Sequence, residues 1–144
     1  MAFVSVTRLR LRSILFLPRF IWLNERVVRQ IVKSPGFRDG KVLVDAHLTL
    51  WTITSWDSEE AMRAYRDEGA HRAVMPKLAA WCDEASVARF ADRAELPTWE
   101  EAHAQIVSNG RASRVRNPSP NHAARKFPLI RWRRIERKLV PSVP

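Results

Sequence analysis

From Phe3 to Leu11 the chain alternates strictly. Phe3, Ser5, Thr7, Leu9 and Leu11 take one side, and Val4, Val6, Arg8, Arg10 and then Arg12 the other. A repeat of two belongs to an extended strand, so the chain opens with β structure. The arginines on its second side need solvent or an anionic neighbour. The period then changes. Pro18 suits the first turn of a helix, and Phe20, Leu23, Val27 and Ile31 form one stripe, with Arg19, Arg26, Arg29 and Lys33 mainly opposite. Ser34-Pro35-Gly36 ends that helix.

Asp39-Gly40 reads as a turn, Lys41 to Asp45 as a strand, and Leu48 to Trp56 as its hairpin partner. Parity puts Leu50, Thr52, Thr54 and Trp56 on one face, with Thr49, Trp51, Ile53 and Ser55 on the other. Asp57-x-x-Glu60 offers a capping box, with Ser58 as the alternative cap, for a helix that Gly69 interrupts. A second helical piece spans about Ala70 to Cys82, and Pro76 should kink or restart it. Ala85 to Ala91 reads as a strand, and Thr98-x-x-Glu101 caps a last helix ending at Asn109-Gly110.

The order strand, helix, strand, strand, helix, strand is the split βαβ pattern of an α+β ferredoxin-like fold, here with an extra helix. Helices on one face leave the other uncovered. A second copy of the sheet is the economical cover, which predicts a homodimer with an α/β barrel between the sheets and an apolar chamber near one imidazole.

Charge divides the chain. Residues 1–109 hold 15 Lys and Arg against 14 Asp and Glu, whereas residues 110–144 hold 10 against Glu136 alone and carry five of the nine prolines. Residues 1–110 are therefore expected to form the domain and 111–144 a basic C-terminal extension. That extension could contact nucleic acid or an acidic membrane surface, Arg131-Trp132-Arg133-Arg134 being its densest run. Without a nucleic-acid motif, an arm that aids solubility or lies on the chain's own acidic surface is the simpler reading. Cys82 is the single cysteine, excluding an internal disulfide and suiting a cytoplasmic location. The apolar run Ile14 to Leu23 is broken by Pro18 and Arg19, too short to span a bilayer.

The run from Trp51 through Trp56, Glu60-Ala61-Met62-Arg63-Ala64-Tyr65 and Gly69-Ala70-His71 resembles the dimeric α/β-barrel superfamily, which includes antibiotic-biosynthesis monooxygenases and haem-degrading monooxygenases. An uncharacterised bacterial family is similar through Met75-Pro76-Lys77-Leu78 and Trp81-Cys82-Asp83-Glu84-Ala85. The spheroidene monooxygenase group is similar over Ala61-Met62, Tyr65, Gly69 and His71.

The resemblance implies an oxidoreductase of monooxygenase type acting on a small apolar or aromatic molecule. Its site would lie between sheet and helices or between the sheets of a dimer. It makes His71 the candidate haem ligand or proton shuttle, with Trp56 and Tyr65 positioning the substrate, and haem the candidate cofactor. Haem-degrading members pair their histidine with an asparagine on the first strand, which Phe3 to Leu11 lacks. The bland alternatives are a helix-packing His71, core roles for Trp51 and Trp56, a Tyr65 anchor with a wet hydroxyl, and a buried, inert Cys82. His47 and His103 read as surface residues, and His122 falls in the extension. A non-catalytic dimer that binds a ligand or a protein is the second functional class.

Overall fold

The computed structural model describes residues 2–46, 48–130 and 135–142. Strands β1 (Phe3–Leu11), β2 (Phe37–Asp45), β3 (Thr49–Trp56), β4 (Cys82–Phe90), β5 (Arg111–Ala112) and β6 (Ile135–Leu139) form one sheet in the order β5-β4-β1-β3-β2-β6. All its pairings are antiparallel. Helices α1 (Leu17–Lys33), α2 (Glu59–Arg66), α3 (Gly69–Trp81) and α4 (Trp99–Asn109) complete the α+β ferredoxin-like arrangement.

Local chemistry sets most boundaries. Pro18 lies in the first turn of α1, and Gly36, at φ 84°, turns the chain out of that helix. Ser58, not Asp57, caps α2 by accepting from the Ala61 N–H. Thr98 and Glu101 form the reciprocal box that opens α4. Three expectations need correction. Asp39-Gly40 is no turn: β2 begins at Phe37, opposite Trp56, and absorbs an irregularity between Phe37 and Asp39. The fourth strand starts at Cys82 because Leu11 pairs with it. Helix α3 runs unbroken through Pro76, so the proline does not restart it, and the carbonyl it frees belongs to the exposed Arg72.

The two sheet faces carry separate cores. On the odd-numbered face of β1, Leu11, Leu50 and Trp56 pack with Phe20, Val28 and Ile31 of α1. On the even-numbered face, Val4, Val6, Trp51 and Ile53 pack with Trp99, Ala102 and Ile106 of α4 and with Phe127.

The sequence alone predicts that this second face lies open until a second copy closes it, and the structure corrects that expectation. Helix α4 and residues 113–130 cover it within one chain. Ser119 donates to Glu84 at 2.6 Å, the Ala85 N–H donates to His122 Nδ1 at 3.3 Å, and the Arg8 guanidinium lies 3.8 Å from the Phe127 ring centre. The anionic neighbour that the β1 arginines require is Glu84, 2.6 Å from Arg8 and 3.2 Å from Arg10. His122 is buried, and His103 is half-buried with Nε2 3.0 Å from the Phe127 carbonyl, so neither is a free surface residue. His47 and Arg131-Trp132-Arg133-Arg134 lie outside the described residues. No helix among the described residues is long and apolar enough to cross a membrane.

Candidate functional site

Between the odd-numbered sheet face and the helices lies a cavity of about 720 Å³. Its floor is a patch of hydroxyls, Ser5 and Thr7 from β1 with Thr52 and Thr54 from β3. These small polar residues sit where an ordinary core would have aliphatic ones, which leaves room above the sheet. Phe20, Val27 and Ile31 of α1 form one wall, and Met62, Val74 and Leu78 of α2 and α3 another. The expected chamber therefore exists, but on the helix side and bounded by one chain.

His71 lies in the first turn of α3 and lines this cavity. Its Nδ1 is 3.0 Å from the Arg66 carbonyl. A carbonyl only accepts, so the ring proton sits on Nδ1 and Nε2 keeps its lone pair. Burial pushes the imidazole below its usual pKa, and this outweighs the Arg66 hydrogen bond, which favours the charged form. The ring is therefore neutral at pH 7.

Tyr65 stands between the other two expected site residues. Its ring centroid is 4.9 Å from that of His71 and 5.1 Å from that of Trp56, stacked on the latter at 26°. Burial raises the Tyr65 phenol well above its usual pKa, so it stays protonated. Trp56 is fully buried and donates to the Thr54 hydroxyl at 2.9 Å. It does not line the cavity, and its contact with the site runs through Tyr65 and Thr54. Cys82 is buried and its thiol is pushed up to about 12, chiefly by burial, which leaves it unreactive.

Sequence reasoning missed Gln30. From α1 its amide donates to the Tyr65 carbonyl at 2.9 Å and the Glu68 carbonyl at 2.8 Å, and its Oε1 accepts from the His71 N–H at 2.8 Å. One side chain thus ties the α2–α3 junction to α1 and holds the His71 backbone in the first turn of α3. Gly69, at φ 59°, permits that junction, and a Cβ there would stand 3.2 Å from the Gln30 amide nitrogen. Nothing local marks Gln30, because its partners are carbonyls far along the chain. At the rim, Glu59 joins Arg63 at 3.2 Å and Arg89 at 2.6 Å and so bridges the two arginines. Among the described residues no group of three or more His, Cys, Asp or Glu could hold a metal ion.

No family model and no curated protein matches the chain. Solved structures do. A Nitrosomonas europaea protein assigned to antibiotic biosynthesis monooxygenases superposes with a TM-score of 0.59 at 11% identity, covering 67% of this chain and 94% of its own. SnoaB, a cofactor-independent oxygenase from Streptomyces nogalater, gives 0.55 at 18% identity, covering 67% and 98%. These proteins share the ferredoxin-like fold of this chain. A dimeric ferredoxin-like protein of unknown function from Thermobifida fusca also superposes, with a TM-score of 0.51 at 16% identity over 64% of this chain and 92% of its own.

Proposed function

We propose that the protein is a monooxygenase-like enzyme that oxidises a small aromatic molecule in the cavity between sheet and helices. The observation that supports this most is a neutral His71 whose Nδ1 is tied to the Arg66 carbonyl, beside a cavity with a hydroxyl floor, apolar side chains from α1 to α3 and arginines such as Arg63, Arg66 and Arg89 in its lining. His71 Nε2 is the base. The floor hydroxyls and Tyr65 orient the oxygen atoms of a polycyclic substrate, and Trp56 holds Tyr65 in place as a positioning residue. For a reduced polycyclic substrate, O₂ is the oxidant: a ring CH₂ becomes C=O, one oxygen atom enters the carbonyl and the other leaves as water. His71 takes the first CH₂ proton, making the substrate an electron-rich anion that O₂ can oxidise. The likeness to a cofactor-independent oxygenase is consistent with that chemistry.

The His71 tautomer also suits a haem ligand, since Nε2 is free while Nδ1 is oriented by a backbone carbonyl. In that case His71 would hold the iron, Arg63 and Arg66 at the cavity wall would face the propionates, and the group would supply O₂ activation.

The test is oxygen uptake by the purified protein with an anthrone-type substrate, with and without added haemin. Turnover by colourless protein that is lost in His71→Asn supports the cofactor-free reading. A Soret band that requires His71 supports the haem reading. Substrate binding without turnover in either condition would leave a non-catalytic ligand-binding module. A homodimer is not needed for this site, because every wall described comes from one chain.

A further inference from the structure

The outer surface of the 3₁₀ turn Ile14–Phe16 and of α1 is unlike the other described surfaces. Leu15 is 84% exposed, Ile14 65%, Trp22 62% and Ile21 52%. Singly exposed apolar residues are ordinary, but four large ones on adjoining turns are not. Leu15, Arg19, Trp22, Arg26, Arg29 and Lys33 follow one another at steps of three and four, the spacing of one helical stripe, and all are exposed. The Arg26 guanidinium lies 5.1 Å from the Trp22 ring centre. Between residues 12 and 33 the only acidic residue is Glu25, and Arg137 holds it at 2.6 Å.

We propose that this surface docks on an anionic lipid bilayer, with α1 lying in the plane of the interface. The aliphatic side chains and Trp22 enter the boundary between headgroups and acyl chains, and the arginines meet lipid phosphates. At 17 residues α1 is about 26 Å long, and its inner face is committed to the core, so it can lie on a membrane but not cross it. Charge decides against the other occupants. A second copy on a two-fold axis would set Arg19, Arg26 and Arg29 against themselves, with Glu25 already paired. A nucleic acid would match the arginines but offer nothing to Ile14, Leu15 and Ile21. The proposal is independent of the reaction assigned to the cavity.

The experiment is flotation of the full chain with vesicles of equal parts phosphatidylglycerol and phosphatidylcholine, and with phosphatidylcholine alone. The expected result is binding to the anionic vesicles that weakens as salt rises. In L15S/W22S, which leaves every charge in place, partitioning should drop on the order of tenfold with an unchanged circular dichroism spectrum. Absence of wild-type binding overturns the proposal. So does equal binding by L15S/W22S, which would assign the contact to charge elsewhere, the C-terminal extension included. Light scattering that shows two copies for wild type and one for L15S/W22S, without flotation, would assign the patch to self-association. Should L15S/W22S not fold, quenching by brominated phosphatidylglycerol decides: it must be weaker in Trp22→Phe than in wild type, and equal quenching overturns the proposal.

Discussion

The Arg8 guanidinium on β1 and the Glu84 carboxylate on β4 meet at 2.6 Å, with both side chains 3% exposed. Burial alone would raise the Glu84 carboxyl, but hydrogen bonds from Ser119 and Arg8 outweigh it and hold it below the usual carboxylate range. The same burial lowers Arg8, partly offset by Glu84. The pair is charged and covered by the chain's own C-terminal residues, and the Arg8 Nε is buried without a hydrogen-bond partner. Glu84→Ala strands a buried guanidinium and should cost about 3–5 kcal/mol, read as a lower urea midpoint. Arg8→Met combined with Glu84→Leu should recover most of that loss, and equal destabilisation in single and double variants would refute this account.

Removing residues 111–144 uncovers Val4, Val6, Trp51 and Ile53, which are fully buried in the intact chain. The truncated protein should gain mass by light scattering or aggregate, and Phe127→Ala should lose about 3 kcal/mol of stability. Truncation with neither effect would show that α4 alone suffices as cover.

His71 makes stability and activity depend on pH in the same direction. Its folded pKa lies below the unfolded value of 6.5, so the folded state resists protonation. Its contribution is complete above pH 6.5 and is lost as pH falls toward the folded value. Wild-type melting temperature should therefore drop more steeply below pH 6.5 than that of His71→Asn. Wild-type oxygen uptake should show an acid limb below pH 6.5, and parallel melting-temperature profiles for the two proteins would rule His71 out as the source of the stability loss.

Gln30→Ala removes three hydrogen bonds at the α2–α3 junction. Each is worth about 1 kcal/mol, so a stability loss of about 1–3 kcal/mol is expected. Because Gln30 positions His71 without lining the cavity, turnover should fall more than substrate binding. Gln30→Glu keeps an acceptor for the His71 N–H and should restore turnover better than it restores stability.

Much of the cavity is legible without the fold. Parity alone places Ser5, Thr7, Thr52 and Thr54 on the face that becomes its floor, and puts Trp51 and Trp56 on opposite faces. The motif around Tyr65 and His71 picks out two residues that prove to be in ring contact. The junction that holds them is not legible, because Gln30 acts on carbonyls and an N–H from another part of the chain. Nor is the role of His122, whose two ring nitrogens meet the Ala85 N–H and the Ser113 carbonyl.

The sequence by itself determined the four helices and the faces of the first and third strands, because period, capping residues and proline placement act within a few neighbours, whereas β5 and β6 of the C-terminal segment were not legible in it. Only the tertiary structure decided what covers each face. A basic, proline-containing segment looks solvated when read alone, yet Ser119, His122 and Phe127 find Glu84, Ala85 and Arg8 across the sheet. Such contacts depend on partners brought together by folding, and no local pattern encodes them.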